Sequence, residues 1–261
     1  MALGYPTEQH RAGAEAIAGY FDGVPDVDAV LQVGSCARGK AAPDSCLDIA
    51  VLVRPEVLAT ERGSLERGWE EFHRSQAVFR EGERLARYGF AEVEFIDGAF
   101  VPGEHDYTSG PDEFELEIGN YVAHSVPLLV RSDYWRCLRS TWMPYYGERL
   151  RERRLAMVWR CGLNNLDHVP YFTARGLYFQ AFNRLYDAFG EFLQALFISR
   201  RVYPIAYDKW IREQVEEMLD LPEVYRELPR LFEIGRFESD EMVDKARRLL
   251  CLYESVLSAQ S

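Results

Sequence analysis

A single carboxylate set in an apolar run constrains this chain more than any other feature. Asp48 lies between Leu47 and Ile49 in the stretch Leu47–Val53, which is otherwise wholly apolar. Burying an ionised carboxyl costs free energy unless a metal ion, a basic partner or a strand edge meets it. An earlier apolar run, Ala29–Val33, ends at Gly34-Ser35, and the small-residue stretch Cys36-Ala37-Arg38-Gly39 leads through Pro43-Asp44-Ser45-Cys46 into the second run. The pattern predicts a strand, a turn of phosphate-binding size, and a second strand carrying one carboxylate.

The surrounding sequence supplies the rest of such a domain. Apolar residues at Ala14, Ile17, Ala18 and Phe21 predict a helix capped by Thr7 and stopped at Gly23-Val24-Pro25. Pro55 is read as a break, followed by a charged helix over 65–85 with Trp69, Phe72 and Phe79 facing inward. From Phe90 to Ile96 the chain alternates. Ala91, Val93 and Phe95 fall on one face and Glu92, Glu94 and Ile96 on the other, so the acidic side is either a solvated edge or the wall of a cation site. Residues 98–110 read as a mobile loop and Val126–Val130 as another strand, and 133–142 turns helical.

Beyond Pro144 the patterning is helical: 147–163, a long buried helix over 171–198, then 209–219, 223–231 and 238–257. The expected fold class is α+β, a mixed sheet flanked by helices over 1–142, followed by an all-α bundle over 143–261. No apolar stretch approaches a membrane span, and no signal-type leader opens the chain, so the expected address is cytoplasmic. Five cysteines without paired ligand spacing argue against a disulfide framework or a zinc site. The net charge of −12 is uneven, with 13 basic against 24 acidic residues over 1–142 and 17 against 18 afterwards. An acidic first half argues against duplex nucleic acid. It leaves room for a polyphosphate only with divalent cations or a local basic cluster.

The stretch from Gly34 to Val53 resembles the polymerase-β-like nucleotidyltransferases. Their common bacterial form reads Gly-Ser-x-Ala-Arg-Gly, then Asp-Ser-Asp-hydrophobic-Asp-hydrophobic-Ala-Val. Gly34, Ser35, Ala37, Arg38, Gly39, Asp44, Ser45, Asp48, Ala50 and Val51 match without a gap. Cys46 stands where the first carboxylate of the Asp-x-Asp pair belongs. A shifted register, with Asp48 first and Ala50 in place of the second carboxylate, loses the match at Asp44-Ser45.

The resemblance implies transfer of a nucleoside monophosphate from a nucleoside triphosphate to a hydroxyl, with magnesium, or manganese in its place, held by carboxylates on neighbouring strands. Asp48, Glu92 and Glu94 are the implied metal-binding and catalytic residues, with Glu94 preferred to Glu92 for deprotonating the acceptor. Gly34, Ser35 and Arg38 would meet the phosphates. In the helical half, Tyr203-Pro204 followed by Lys209-Trp210 is similar to a segment of antibiotic nucleotidyltransferases, which would bring Lys209 to the triphosphate; capping or snorkelling at a helix start is the plain alternative. Arg175, Asn183, Arg184 and Asp187 are polar positions that suit a cleft lining, the alternative being that Arg175, Arg184 and Asp187 form an internal salt-bridge set joining helices. His105 and His124 have no partner at ligand spacing.

A thiol is a poor ligand for a hard ion, so Cys46 opens three outcomes: a neighbouring carboxylate compensates, a softer metal is used, or nucleotide binds without transfer. Three functions follow. The first is a nucleotidyltransferase acting on a small molecule or a protein, the acidic tract 104–117 suiting a cationic acceptor. The second is a catalytically weakened nucleotide-binding or regulatory module, and the third an antitoxin-type protein acting on a helical partner. The oligomeric state is not encoded in any of these features.

Overall fold

The computed structural model describes residues 4–103 and 105–257. They form two units: 4–101 with 117–143, and 102–116 with 144–257. The segment 102–116, which the sequence pattern leaves with the first domain, therefore packs with the helical one. No helix among the described residues is long and apolar enough to cross a membrane.

The first unit is built on a four-stranded sheet in the order β3-β2-β1-β4, comprising β1 (Val27–Gln32), β2 (Leu47–Val53), β3 (Ala91–Ile96) and β4 (Val126–Val130). β1 runs antiparallel to β2 and β4, and β2 is parallel to β3. Helix α1 (Glu8–Asp22) starts as expected at Thr7, whose hydroxyl accepts from the His10 N–H. Leu47, Ile49, Val51, Val93 and Phe95 pack with Ile17 and Phe21 of α1 and with Leu58, Leu65 and Trp69 of α3 (Pro55–Ser75). The alternation of β3 places Glu92 and Glu94 away from that core, on the face shared with Asp48.

Three local features depart from the sequence pattern. Pro55 starts α3 rather than breaking the chain, because a proline at the first helical position lacks only an N–H that would have no intrahelical partner. The charged helix is then split at Gln76, whose ψ of 133° is extended, into α3 and the short α4 (Ala77–Gly82). In addition, the turn after β1 is a five-residue helix, α2 (Gly34–Arg38), closed by Gly39 in the left-handed conformation.

Helix α5 (Phe114–Ile118), which begins in segment 102–116 and ends in the first unit, continues into a π-helical turn, Gly119–Ala123, and α6 (Tyr134–Trp142) completes the first unit. In the second unit, α7 (Glu148–Thr173) and α8 (Tyr178–Arg200) pack on each other and on α10 (Glu241–Leu257), and the short α9 (Pro222–Glu227) falls in the chain between α8 and α10. The expected helix over 171–198 is interrupted at 174–177, where Gly176 has a φ of +71°. The core holds Val158, Leu185, Phe192, Leu196, Met242, Leu249 and Tyr253.

Segment 102–116 is fixed to this unit by a buried charge cluster. Arg154, 3% exposed, donates to both Asp112 oxygens at 2.5 and 2.6 Å and to both Glu115 oxygens at 2.9 and 2.6 Å. Tyr146 and Gln194 add donors to Glu115 at 2.7 and 2.8 Å. Removing one partner of a buried pair strands the other charge, which is costlier than the pair is stabilising. Arg154→Met is therefore expected to lower stability by about 3–5 kcal/mol in urea titration, whereas the exposed Arg226→Met should stay within about 0.5 kcal/mol.

Deeper in α8, Glu191 is fully buried, and burial pushes its carboxyl up to about 8 despite a hydrogen bond from Asn165 at 3.0 Å. Between the ordinary value of 4.5 and about 8 the folded chain holds a proton that the unfolded chain has lost, so stability falls as pH rises through that window. Thermal melts across this range should show the decline in the wild type and a shallower one in Glu191→Gln.

Candidate functional site

At the end of β1 the chain turns into α2, and at the start of β2 it returns beside that turn. Gln32 and Ile49 are register partners, so Gly34 lies next to Asp48. Gly34 has a φ of +65°, and a β-carbon there would overlap Asp48 Oδ2. Only glycine allows the carboxylate this close to the backbone. The Asp48 backbone carbonyl is fixed by the Val33 N–H at 2.9 Å and by Gln32 Nε2 at 2.8 Å.

The loop leading into Asp48 is also held. His10, buried on α1, donates from Nε2 to the Ser45 carbonyl at 3.0 Å, while its Nδ1 accepts from the Thr7 hydroxyl at 2.7 Å. Ser45 Oγ accepts from the Ala42 N–H at 2.9 Å. Arg38 Nη1 donates to the Gly34 carbonyl at 3.0 Å, bracing α2 internally, and Ser35 is half-buried at its first turn.

Across the sheet, Asp48 is in register with Glu92, and Ala50 with Glu94. Neighbours in register share a face, so Asp48 and Glu92 form a carboxylate pair one strand apart, at the sheet end that carries Gly34. Glu94 lies two residues further along β3 and is bound differently: Tyr121, from the π-helical turn, donates its hydroxyl to Glu94 Oε2 at 2.7 Å. Both glutamates are exposed and Asp48 is half-buried.

Cys46 stands at the same end. Burial pushes its thiol up to about 12, aided by a hydrogen bond to Asp48 and by the Asp48 and Glu92 charges. Protonated at neutral pH, it acts as a donor to Asp48. Cys36, fully buried, is likewise raised to about 12 by burial and by Asp48, and donates to the Cys46 carbonyl at 3.7 Å. Among the described residues no three histidine, cysteine, aspartate or glutamate side chains are gathered to hold a metal ion by themselves.

The residues expected from the helical half belong to the second unit. Lys209 is exposed, and its backbone is fixed by Gln214, 1% exposed, which donates to the carbonyls of Ala206 and Lys209 at 2.8 and 3.1 Å and accepts from the Ile205 N–H at 2.8 Å. The expected ion-pair set does not form. Arg184 bonds Asn165 at 2.7 Å, Asp187 accepts from Asn183 at 2.9 Å, and Arg175 lies over the Tyr171 ring. The acidic tract is partly neutralised, with Asp112 and Glu115 closed on Arg154, and Glu104 lies outside the described residues.

Tyr121, His10, Gln32 and Gln214 were not singled out by the sequence. His10 alone left a trace, since it extends the apolar face of α1 at Ala14 and Ile17.

No protein-family model matches the chain, and no curated protein matches it. A solved structure to which it is similar is that of a nucleotidyltransferase-like protein from Exiguobacterium sibiricum, with a TM-score of 0.47 and 13% identity, covering 96% of this chain and 74% of that one.

A side chain at position 34 would meet both the positive φ and the Asp48 carboxylate. Gly34→Ala is expected to cost about 1–3 kcal/mol in chemical denaturation, against about 0.5 kcal/mol or less for Ser35→Ala.

Proposed function

We propose that this chain transfers a nucleoside monophosphate from a nucleoside triphosphate to a hydroxyl of a small-molecule or protein acceptor, with magnesium or manganese as the metal. The observation that carries the reading is the Asp48 carboxylate, held against Gly34 and in register with Glu92. Two carboxylates suit magnesium, which binds one or two of them and takes phosphate oxygens and water at its other positions. Asp48 and a β3 glutamate would hold the ion, and the Cys46 thiol, a donor to Asp48, would not. When bound, the ion would neutralise the triphosphate and the departing pyrophosphate.

The remaining roles fall to this chain's own groups. The first-turn N–H groups of α2 have no intrahelical acceptors and, with the Ser35 hydroxyl, suit phosphate oxygens. Arg38 would keep the turn in shape while adding positive charge, and Lys209 enters the reading as a nucleotide-binding residue on its sequence resemblance alone. A cationic acceptor is favoured less by the tract 104–117 than its composition suggests, because Asp112 and Glu115 are already paired with Arg154. Exposed Asp106 and Glu113 carry what remains of that argument.

One observation favours a second reading, a nucleotide-binding module with weakened turnover: Cys46 supplies a thiol proton to Asp48 where the resembling family has a metal-binding carboxylate. Purified protein with labelled triphosphates, magnesium or manganese and an acceptor panel separates the two. Pyrophosphate release by the wild type supports transfer. A silent wild type with an active Cys46→Asp supports the weakened module, and no triphosphate binding by either, at millimolar concentration with metal, rejects both.

A further inference from the structure

The two glutamates of β3 face the same side but are not equivalent. Glu92 is the register partner of Asp48, and Asp48 in turn lies against the Gly34 turn. Glu94 is two residues along the strand, about 6.6 Å further from that end, opposite Ala50, which offers no ligand. Magnesium–oxygen bonds are about 2.1 Å, so the compact pair is Asp48 with Glu92, and Glu94 is displaced from it.

What Glu94 has instead is a partner of its own. The Tyr121 hydroxyl donates to Glu94 Oε2 at 2.7 Å. Tyr121 is presented by the π-helical turn Gly119–Ala123, an irregularity that often marks functional positions. Its backbone is tied by the Ser125 hydroxyl, which donates to the Tyr121 carbonyl at 2.7 Å. Its ring stacks on Phe100 with centroids 6.4 Å apart, and Phe100, 8% exposed, is set edge-on against Trp142 at 6.0 Å. An otherwise exposed glutamate thereby has one oxygen, Oε2, tied to a side chain that is itself packed, which leaves Oε1 as the oxygen that faces an acceptor.

We infer that Tyr121 is a positioning residue that orients Glu94 to take the proton of the acceptor hydroxyl, while Glu92 pairs with Asp48 at the metal. The inference rests on the transferase reading. In the step, the acceptor O–H gives its proton to the Glu94 carboxylate and the acceptor oxygen bonds to the α-phosphorus. The bond from that phosphorus to the bridging oxygen breaks, and pyrophosphate leaves with its electron pair.

The test compares wild type, Glu92→Gln, Glu94→Gln, Tyr121→Phe and the double variant Glu94→Gln/Tyr121→Phe by manganese binding in electron paramagnetic resonance and by pyrophosphate release. Melting temperatures check that each variant folds. Glu92→Gln should weaken manganese binding at least tenfold, while Glu94→Gln and Tyr121→Phe leave it within about twofold. Tyr121→Phe should lower kcat about tenfold with the triphosphate KM unchanged, and Glu94→Gln should lower it by about 100-fold or more.

Because Tyr121 acts through Glu94, adding Tyr121→Phe to Glu94→Gln should cost nothing further. An additive loss in the double variant, unchanged kcat in Tyr121→Phe, or manganese binding lost in Glu94→Gln rather than in Glu92→Gln would overturn the assignment while leaving the transferase reading intact. A wild type that releases no pyrophosphate with any acceptor would overturn the transferase reading and the inference with it.

Discussion

An ionisable group at the end of a buried interior strand must be met by something, and the site end of the first unit is arranged around meeting Asp48. Its neighbours Leu47 and Ile49 are committed to the core against α1 and α3, so the alternation of the strand sends its carboxylate to the opposite face. There it is met by the backbone of Gly34, by the thiol of Cys46 and, across the strand, by Glu92. Neither Glu92 nor Cys46 is a cation. The arrangement concentrates negative charge beside the helical turn Gly34–Arg38, and the proposed binding of a divalent ion with phosphate rests on that juxtaposition.

The supporting contacts show how strongly the sheet end is determined. His10 reaches from α1 to the loop before β2, Gln32 bonds the Asp48 carbonyl, and Arg38 folds back on Gly34. Each is a side-chain-to-backbone bond, which fixes the course of the chain without competing for the carboxylates. The second unit uses a different device. Arg154 closes on two carboxylates from segment 102–116, so acidic residues that resemble a substrate surface in the sequence serve internal pairing instead.

Much of this was legible in the sequence where periodicity operates. β2 matches the apolar run Leu47–Val53 residue for residue, and the alternation over 90–96 set Glu92 and Glu94 on one side of β3, which the strand register puts on the face of Asp48. Short or positional features were less legible. Five residues are too few to show a helical period, so α2 read as a loop, and Pro55 carries the same letter whether it breaks a helix or begins one. The register that pairs Asp48 with Glu92 rather than Glu94, and the Tyr121 bond across 27 positions, depend on how strands and turns meet in space. Sequence spacing contains no record of either. Nor could composition reveal that Cys46 would act as a hydrogen-bond donor to Asp48.

The proposed centre predicts where a metal ion and a nucleotide must lie. Anomalous diffraction from crystals grown with manganese and a non-hydrolysable nucleoside triphosphate measures this directly. The expected result is a manganese peak within ligand distance of Asp48 and Glu92, with phosphate density over the Gly34–Arg38 turn. A nucleotide bound elsewhere, or manganese held away from Asp48, would contradict it.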